Sequence, residues 1–304
     1  MKLRIASAFL ATLLAVPSAW AGFITFESAG NSPAAITATR DAFRSAVGGG
    51  AVAGANGSFG GLRREINCDG VPNTVADPNP LPGNFFNVNS PRGVVFSTPG
   101  TGFLVSANAG LATPTLFGFP NDFQAFSAQR LFTAINSNIT DVTFFVPGTM
   151  MAATTSAFAA IFVDVEVADL TKIEFFDEND ALIFTRDVMV AGNQGLSFVG
   201  GVADAGEMIS RVRLTSGLNT IVSNGVLGNP NDDVVVMDDF LYAEPMQSVP
   251  EPSSIALFSL GLAGCIARLR RPRHNPKFRD VERGYGIHDH LRDRKSRPVE
   301  DCTS

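Results

Sequence analysis

The stretch from Gly22 to Glu244 contains no histidine, since all three, His274, His288 and His290, lie beyond it. That absence removes the usual base of a serine or cysteine nucleophile and a common zinc ligand. Cysteine is nearly as scarce: Cys68 is the one thiol in the stretch, with Cys265 in a later apolar run and Cys302 near the end. An internal disulfide is therefore ruled out there, and Cys68, with no histidine to activate it, reads as a small buried or partly exposed residue. The single tryptophan is Trp20, and Tyr242 is the one tyrosine of the stretch; the 25 phenylalanines of the chain carry its aromatic content. Aromatic content of that kind signals core more than a sugar-stacking surface. Basic residues are also few. Residues 22–267 hold ten of the 23 Lys and Arg but 23 of the 29 Asp and Glu, a net charge of −13 against −6 for the whole chain. Such a surface repels nucleic acid and suits polyols, cations or basic partners, though solubility alone explains it equally well.

What is present at the two ends differs in kind from the middle. Lys2 and Arg4 precede the apolar run Ile5–Val16, and Pro17-Ser18-Ala19-Trp20-Ala21 follows. A basic start, a short apolar run and Ala-x-Ala make residues 1–21 a signal peptide, with cleavage expected between Ala21 and Gly22. Near the other end, Val249-Pro250-Glu251-Pro252 leads into Ser253–Ala267, an apolar segment, and then Arg268, Arg270, Arg271 and Arg273. Prolines on both sides of Glu251 bar helix and central strand and leave an extended peptide. The thirteen residues Ile255–Ala267 reach only about 20 Å as a helix against a hydrocarbon core of roughly 30 Å. A marginal membrane anchor suits temporary use, and the arginines set its orientation with the preceding domain outside. Residues 274–304 are polar, mixed in charge and expected to be disordered; they read either as a cytoplasmic extension or as a shifted reading frame.

Residues 22–244 read as strands and turns after one helix. Ser32-Pro33 starts the helix, Ile36, Phe43 and Val47 share a face, and Gly48-Gly49-Gly50 ends it. A flexible loop is expected up to Gly61 and a long surface loop over the Pro- and Asn-rich residues 68–92. Strands are expected at Val94–Ser97, Gly102–Ala107, Ile139–Val146, Ala159–Val167, Lys172–Asp177, Leu182–Val190, Leu196–Val199, Ile209–Thr215 and Val234–Tyr242. Alternation over 161–167 and 208–214 implies one apolar and one polar face. Asp177-Glu178-Asn179-Asp180 is the polar tip of a hairpin. The whole is expected to be all-β, a jelly-roll-like antiparallel β-sandwich with one N-terminal helix, its first and last strands paired.

Candidate chemistry is sparse. No Gly-x-Ser-x-Gly elbow occurs, and the Gly48–Gly60 stretch follows a helix and lacks the lysine of a phosphate loop. A glycoside hydrolase or lyase needs only two facing carboxylates, for which Glu166, Glu174, Asp238 and Asp239 are strand candidates; a solvated polar face is the simpler reading. Structural Ca²⁺ has hard oxygen ligands available at Asp177, Asn179 and Asp180, over Asn229–Asp233 and at Asp238-Asp239. Adjacent strand positions put Asp238 and Asp239 on opposite faces, one serving buried backbone and the other facing solvent. A carbohydrate-binding module would show an exposed Phe or Tyr242 beside carboxylates.

The C-terminal order of Pro250-Glu251-Pro252, apolar run and arginine cluster resembles the PEP-CTERM sorting tag, covering residues 245–273. The resemblance implies recognition of Pro-Glu-Pro by exosortase, a transient inner-membrane anchor, and release to the cell surface or an exopolysaccharide matrix of a Gram-negative bacterium. Members of that family usually stop soon after the basic cluster, so the tail from Pro272 departs from the pattern. The middle of the chain is similar to PEP-CTERM proteins of unknown function at Arg40-Asp41-Ala42-Phe43, Phe96–Phe103, Phe162–Val165, Ile173–Asp177 and Met237-Asp238-Asp239-Phe240. That likeness implies no activity; a non-enzymatic structural or interaction role is expected, without nucleic acid and with extracellular polysaccharide as one partner.

Overall fold

A computed structural model describes residues 22–108, 115–222, 225–227 and 233–247. The expected signal peptide, sorting motif, apolar helix and tail lie outside the described residues, among which no helix is long and apolar enough to cross a membrane. The chain begins with β1 (Phe23–Gly30), α1 (Pro33–Val47), β2 (Ser58–Phe59), β3 (Arg63–Ile66) and the single-turn α2 (Phe85–Val88). There follow β4 (Val94–Ser97), β5 (Gly102–Val105), β6 (Phe132–Ile135), β7 (Ile139–Phe144) and β8 (Ala157–Val163). The last group is β9 (Lys172–Phe176), β10 (Leu182–Asp187), β11 (Leu196–Ala203), β12 (Arg211–Thr215), β13 (Thr220–Val222), β14 (Gly225–Leu227) and β15 (Val236–Ala243).

The strands make two sheets. One runs β10-β9-β12-β7-β4, and the other β1-β11-β8-β15-β6-β13-β14, with β3 also on β15, β2 on β3 and β5 on β6. Among the described residues the named strands pair antiparallel except for the parallel contact of Ile221 with Ile135, and an isolated bridge of Ala107 with Thr115 is also parallel. Phenylalanine joins the sheets face to face: Phe96 of β4 lies 4.7 Å from Phe132, and Phe144 of β7 lies 6.1 Å from Phe158, between ring centroids. Offset and edge-on ring pairs of this kind add to the burial of the rings themselves.

β12 keeps the alternation its sequence shows, with Val212 and Leu214 inward and Arg211 and Arg213 outward. β8 does not. Every residue from Ala157 to Val163 is buried, because the other face of the larger sheet is covered by α1, where Ile36 and Phe43 pack with Ile161, Phe198 and Leu241. A strand covered on both faces needs apolar residues throughout, and Asp164 ends the run, itself buried.

Three further expectations are corrected. β1 pairs with β11, and β8 stands between β11 and β15, so the first and last strands are not partners. β1 is half-buried and occupies the edge, whereas β15 is buried along its whole length and takes the centre. Residues 68–92 are not a surface loop: Cys68, Val71, Leu81, Phe85 and Phe86 enter the main core. The stretch before Gly61 carries a 3₁₀ turn, Ala55–Gly57, and β2. α1 itself forms as its sequence implies, with Ser32 in extended geometry before Pro33, and Gly48 at φ 92° releasing the chain.

Candidate functional site

The site grows from an irregularity in β15. Met237 pairs with Phe162 of β8 and Phe240 with Ala160, so Asp238 and Asp239 together stand opposite Ile161 alone. Two residues against one is a β-bulge, which re-aims side chains that strict alternation would separate. Both aspartates are buried, and their carboxyls stand close enough for each to bear on the other's ionisation. The opposite-face expectation is thereby corrected, and neither residue faces solvent.

Asp238 is well supplied with donors. The Phe126 N–H donates to its Oδ2 at 2.6 Å and the Ser127 hydroxyl to its Oδ1 at 3.0 Å. Asp69 joins the group, 3.2 Å from the Ser127 hydroxyl, and its Oδ1 accepts the Arg130 N–H at 3.2 Å. Burial pushes the Asp238 carboxyl well above the usual carboxylate range, and the neighbouring Asp239 charge pushes further; burial raises Asp239 as well. Two carboxyls in contact share a proton rather than ionise together. Cys68 beside them is buried, and burial, then the charges of Asp238, Asp239 and Asp69, drive its thiol well upward. It is a protonated core residue and a poor nucleophile. Asp239 differs from its neighbour in one respect: its Oδ1 is buried without a hydrogen-bond partner.

Asp239 lines a cavity of about 430 Å³. α1 supplies Thr37, Arg40 and Arg44 to the wall, and Phe59, Glu65, Asn67, Arg92, Phe126 and Ser127 are among the others that line it. The cations are mostly engaged. Arg40 stacks over the Phe126 ring at 5.0 Å and pairs with Asp41 at 2.8 Å. Arg44 forks onto Glu65 at 2.8 and 2.6 Å. Arg92 donates to the Glu65 carbonyl at 3.0 Å and to the Ser90 hydroxyl, and among the described residues it meets no carboxylate. A larger hollow of about 680 Å³ adjoins, sharing Arg44, Ala53 and Phe59, with Arg44 and Arg63 both held by Glu65.

The remaining sequence candidates do not converge here. Asp177, Asn179 and Asp180 form the β9–β10 tip, where Asp177 Oδ1 accepts the N–H groups of Asn179 and Ala181 at 2.8 and 2.9 Å. Asp180 pairs with Arg211. Asp239 belongs to the other sheet, and among the described residues no three of His, Cys, Asp and Glu are placed to hold a metal. Glu166 is exposed, and its N–H donates to the buried Asp233 at 2.9 Å; Asn229–Asp232 lie outside the described residues. Glu174 stands on the outward face of β9. A glycosidase needs its carboxyls facing each other across a bond, roughly 5 Å or more apart, whereas Asp238 and Asp239 are neighbours buried together at one bulge. Tyr242 is no sugar platform either, being fully buried with its hydroxyl donating to the Arg92 carbonyl at 2.9 Å. No Phe or Tyr is fully exposed among the described residues.

Of the processing residues, Ala21, Val249, Pro250, Glu251, Pro252, Arg268, Arg270, Arg271 and Arg273 lie outside the described residues. Gly22 is inside them. Its N–H donates to Glu207 Oε1 at 2.7 Å, and a Cβ at this position would stand 2.0 Å from Asp204 Oδ1. Arg40 and Arg44, four apart on α1, carried a visible signal for the cavity wall; Asp69, Arg92 and Ser127 carried none that local sequence could display.

No curated protein and no solved structure matches the chain. One family does match, over residues 248–271 and described as the PEP-CTERM protein-sorting motif. Downstream of its β-rich domain, this chain carries the sorting motif of exosortase substrates.

Proposed function

We propose that the chain is exported by its signal peptide, cut before Gly22, anchored through Ser253–Ala267, and then released by exosortase to act at the cell surface or in an exopolysaccharide matrix. The match at residues 248–271 carries this reading. The place of Gly22 supports the cleavage position, since its nitrogen already points to the Glu207 carboxylate. The sandwich serves there as a structural or interaction domain. A non-enzymatic role is supported by the lack of histidine before residue 274 and by the buried, protonated Cys68. The finer description of the fold as jelly-roll-like is supported by the way the chain changes sheet at most connections from β4 to β13.

Intact-mass measurement of protein recovered from the cell surface tests the proposal. The expected species begins at Gly22 and ends near Pro252. A surface species that retains Met1 or Ser304 would overturn it.

A further inference from the structure

We propose that the cavity above Asp239 binds a neutral sugar through adjacent ring hydroxyls. The inference goes beyond delivery to the surface and does not depend on how the chain is processed.

The starting point is the buried Asp239 Oδ1, which has no partner. A buried acceptor left unsatisfied is costly, and native structures rarely leave one without a purpose. It calls for a donor arriving from the cavity that Asp239 lines. Arg92, on the same cavity, meets no carboxylate among the described residues, and an acceptor there would add to the bonds it already gives to Glu65 and Ser90. A hydroxyl is both donor and acceptor, so neighbouring hydroxyls satisfy a carboxylate and a guanidinium together. The walls suit the remainder of a sugar ring. Phe59 and Phe126, both half-buried, give the wall apolar surface that suits its C–H groups. A volume of about 430 Å³ falls in the range of small-molecule sites, roughly 300–1,000 Å³.

Charge argues for a neutral ligand. Arg40 and Arg44 are already paired with Asp41 and Glu65, and Arg92 already donates to the Glu65 carbonyl and to Ser90, so an anion would find each of these guanidinium groups engaged and would face an acid pair. A metal ion would need more oxygen ligands than the described residues bring together. A small zwitterion bridging Asp239 and Arg92 would leave most of the volume unfilled.

Saturation-transfer difference NMR tests this on the purified full-length chain in a sugar-free detergent, with D-glucose, D-galactose, D-mannose, D-glucuronate and glycine as separate probes. The expected result is saturation of ring protons in at least one neutral sugar, with millimolar affinity. Asp239→Asn should weaken that binding about tenfold, the worth of one charge-assisted hydrogen bond. Asn67→Ala, at the exposed rim of the cavity, should weaken it several-fold and supplies the reading should Asp239→Asn fail to fold. Absence of saturation for all three neutral sugars overturns the proposal, as does binding confined to glucuronate or glycine. Binding that is unchanged in a folded Asp239→Asn variant also overturns it.

Discussion

Asp164 follows β8 at φ 73°, in the left-handed region that Asp and Asn tolerate better than most residues. Its carboxylate accepts the Gln194 N–H at 2.8 Å, yet burial and the nearby Glu166, Asp122 and Asp233 push its pKa up to about 7. In the unfolded chain the same group ionises near 4. Between those values the native state holds the extra proton, so stability falls as pH rises from about 4 to about 7. Asp164→Asn keeps the backbone geometry and the acceptor and removes the titration. Thermal unfolding followed against pH should show a flatter slope in the variant and a gain over the parent above pH 7, on the order of 1–3 kcal/mol. An unchanged slope would show that Asp238, Asp239 and Asp233, raised by the same burial, carry the dependence instead. Gly22 offers a second measurement. Once the chain is cut before it, its nitrogen becomes an ammonium beside Glu207. Chemical acetylation of that terminus should lower the unfolding free energy by no more than about 1 kcal/mol, as for other exposed ion pairs. Glu207→Gln should remove the difference between acetylated and free forms; a difference that persists would place its origin elsewhere.

Among the elements, α1 is held by one face and works with the other. Phe43 is fully buried, its ring 5.7 Å from Phe26 and 5.8 Å from Phe198, while Arg40 and Arg44 wall the cavity. Phe43→Ala should cost about 3–5 kcal/mol in urea unfolding. A loss under 1 kcal/mol would mean that the helix docks by some other contact. This helix was legible in the sequence because its pattern is local: a proline at the start, i to i+7 apolar spacing, glycine at the end. The β9–β10 hairpin and β12 were legible for the same reason. β3 was not, since Arg63-Arg64-Glu65 reads as surface until Arg64 meets Glu244 at 2.7 Å and Arg63 meets Glu65 at 2.7 Å. Those ion pairs let a charged segment lie buried against β15. Residues 68–92 were misread because proline and asparagine dominate their composition, and the apolar residues that enter the core follow no period. The acid pair was noticed, but its shared orientation depends on a bulge set by pairing with β8, which no local pattern encodes.

At the scale of the whole molecule, a compact β-rich unit is joined to a segment whose meaning is processing rather than packing. The unit is stabilised by phenylalanine burial between sheets and carries no disulfide among the described residues, so reductant should leave its unfolding midpoint unchanged. For the attached segment we propose that recognition rests on backbone conformation. Pro250 and Pro252 forbid helix around Glu251, whereas alanine at both positions would let the helical pattern of the apolar run extend backward through the motif. An enzyme that grips an extended peptide would then find a helix. Pro250→Ala with Pro252→Ala should accordingly leave the chain in the membrane fraction at its unprocessed C-terminal mass, while the folded unit unfolds at the same temperature as the parent. Glu251→Gln, which keeps the extended backbone and removes only the charge, separates the two requirements: processing retained in Glu251→Gln and lost in the double alanine variant assigns recognition to backbone shape. Normal release of the double alanine variant would show that the two prolines do not direct the cleavage.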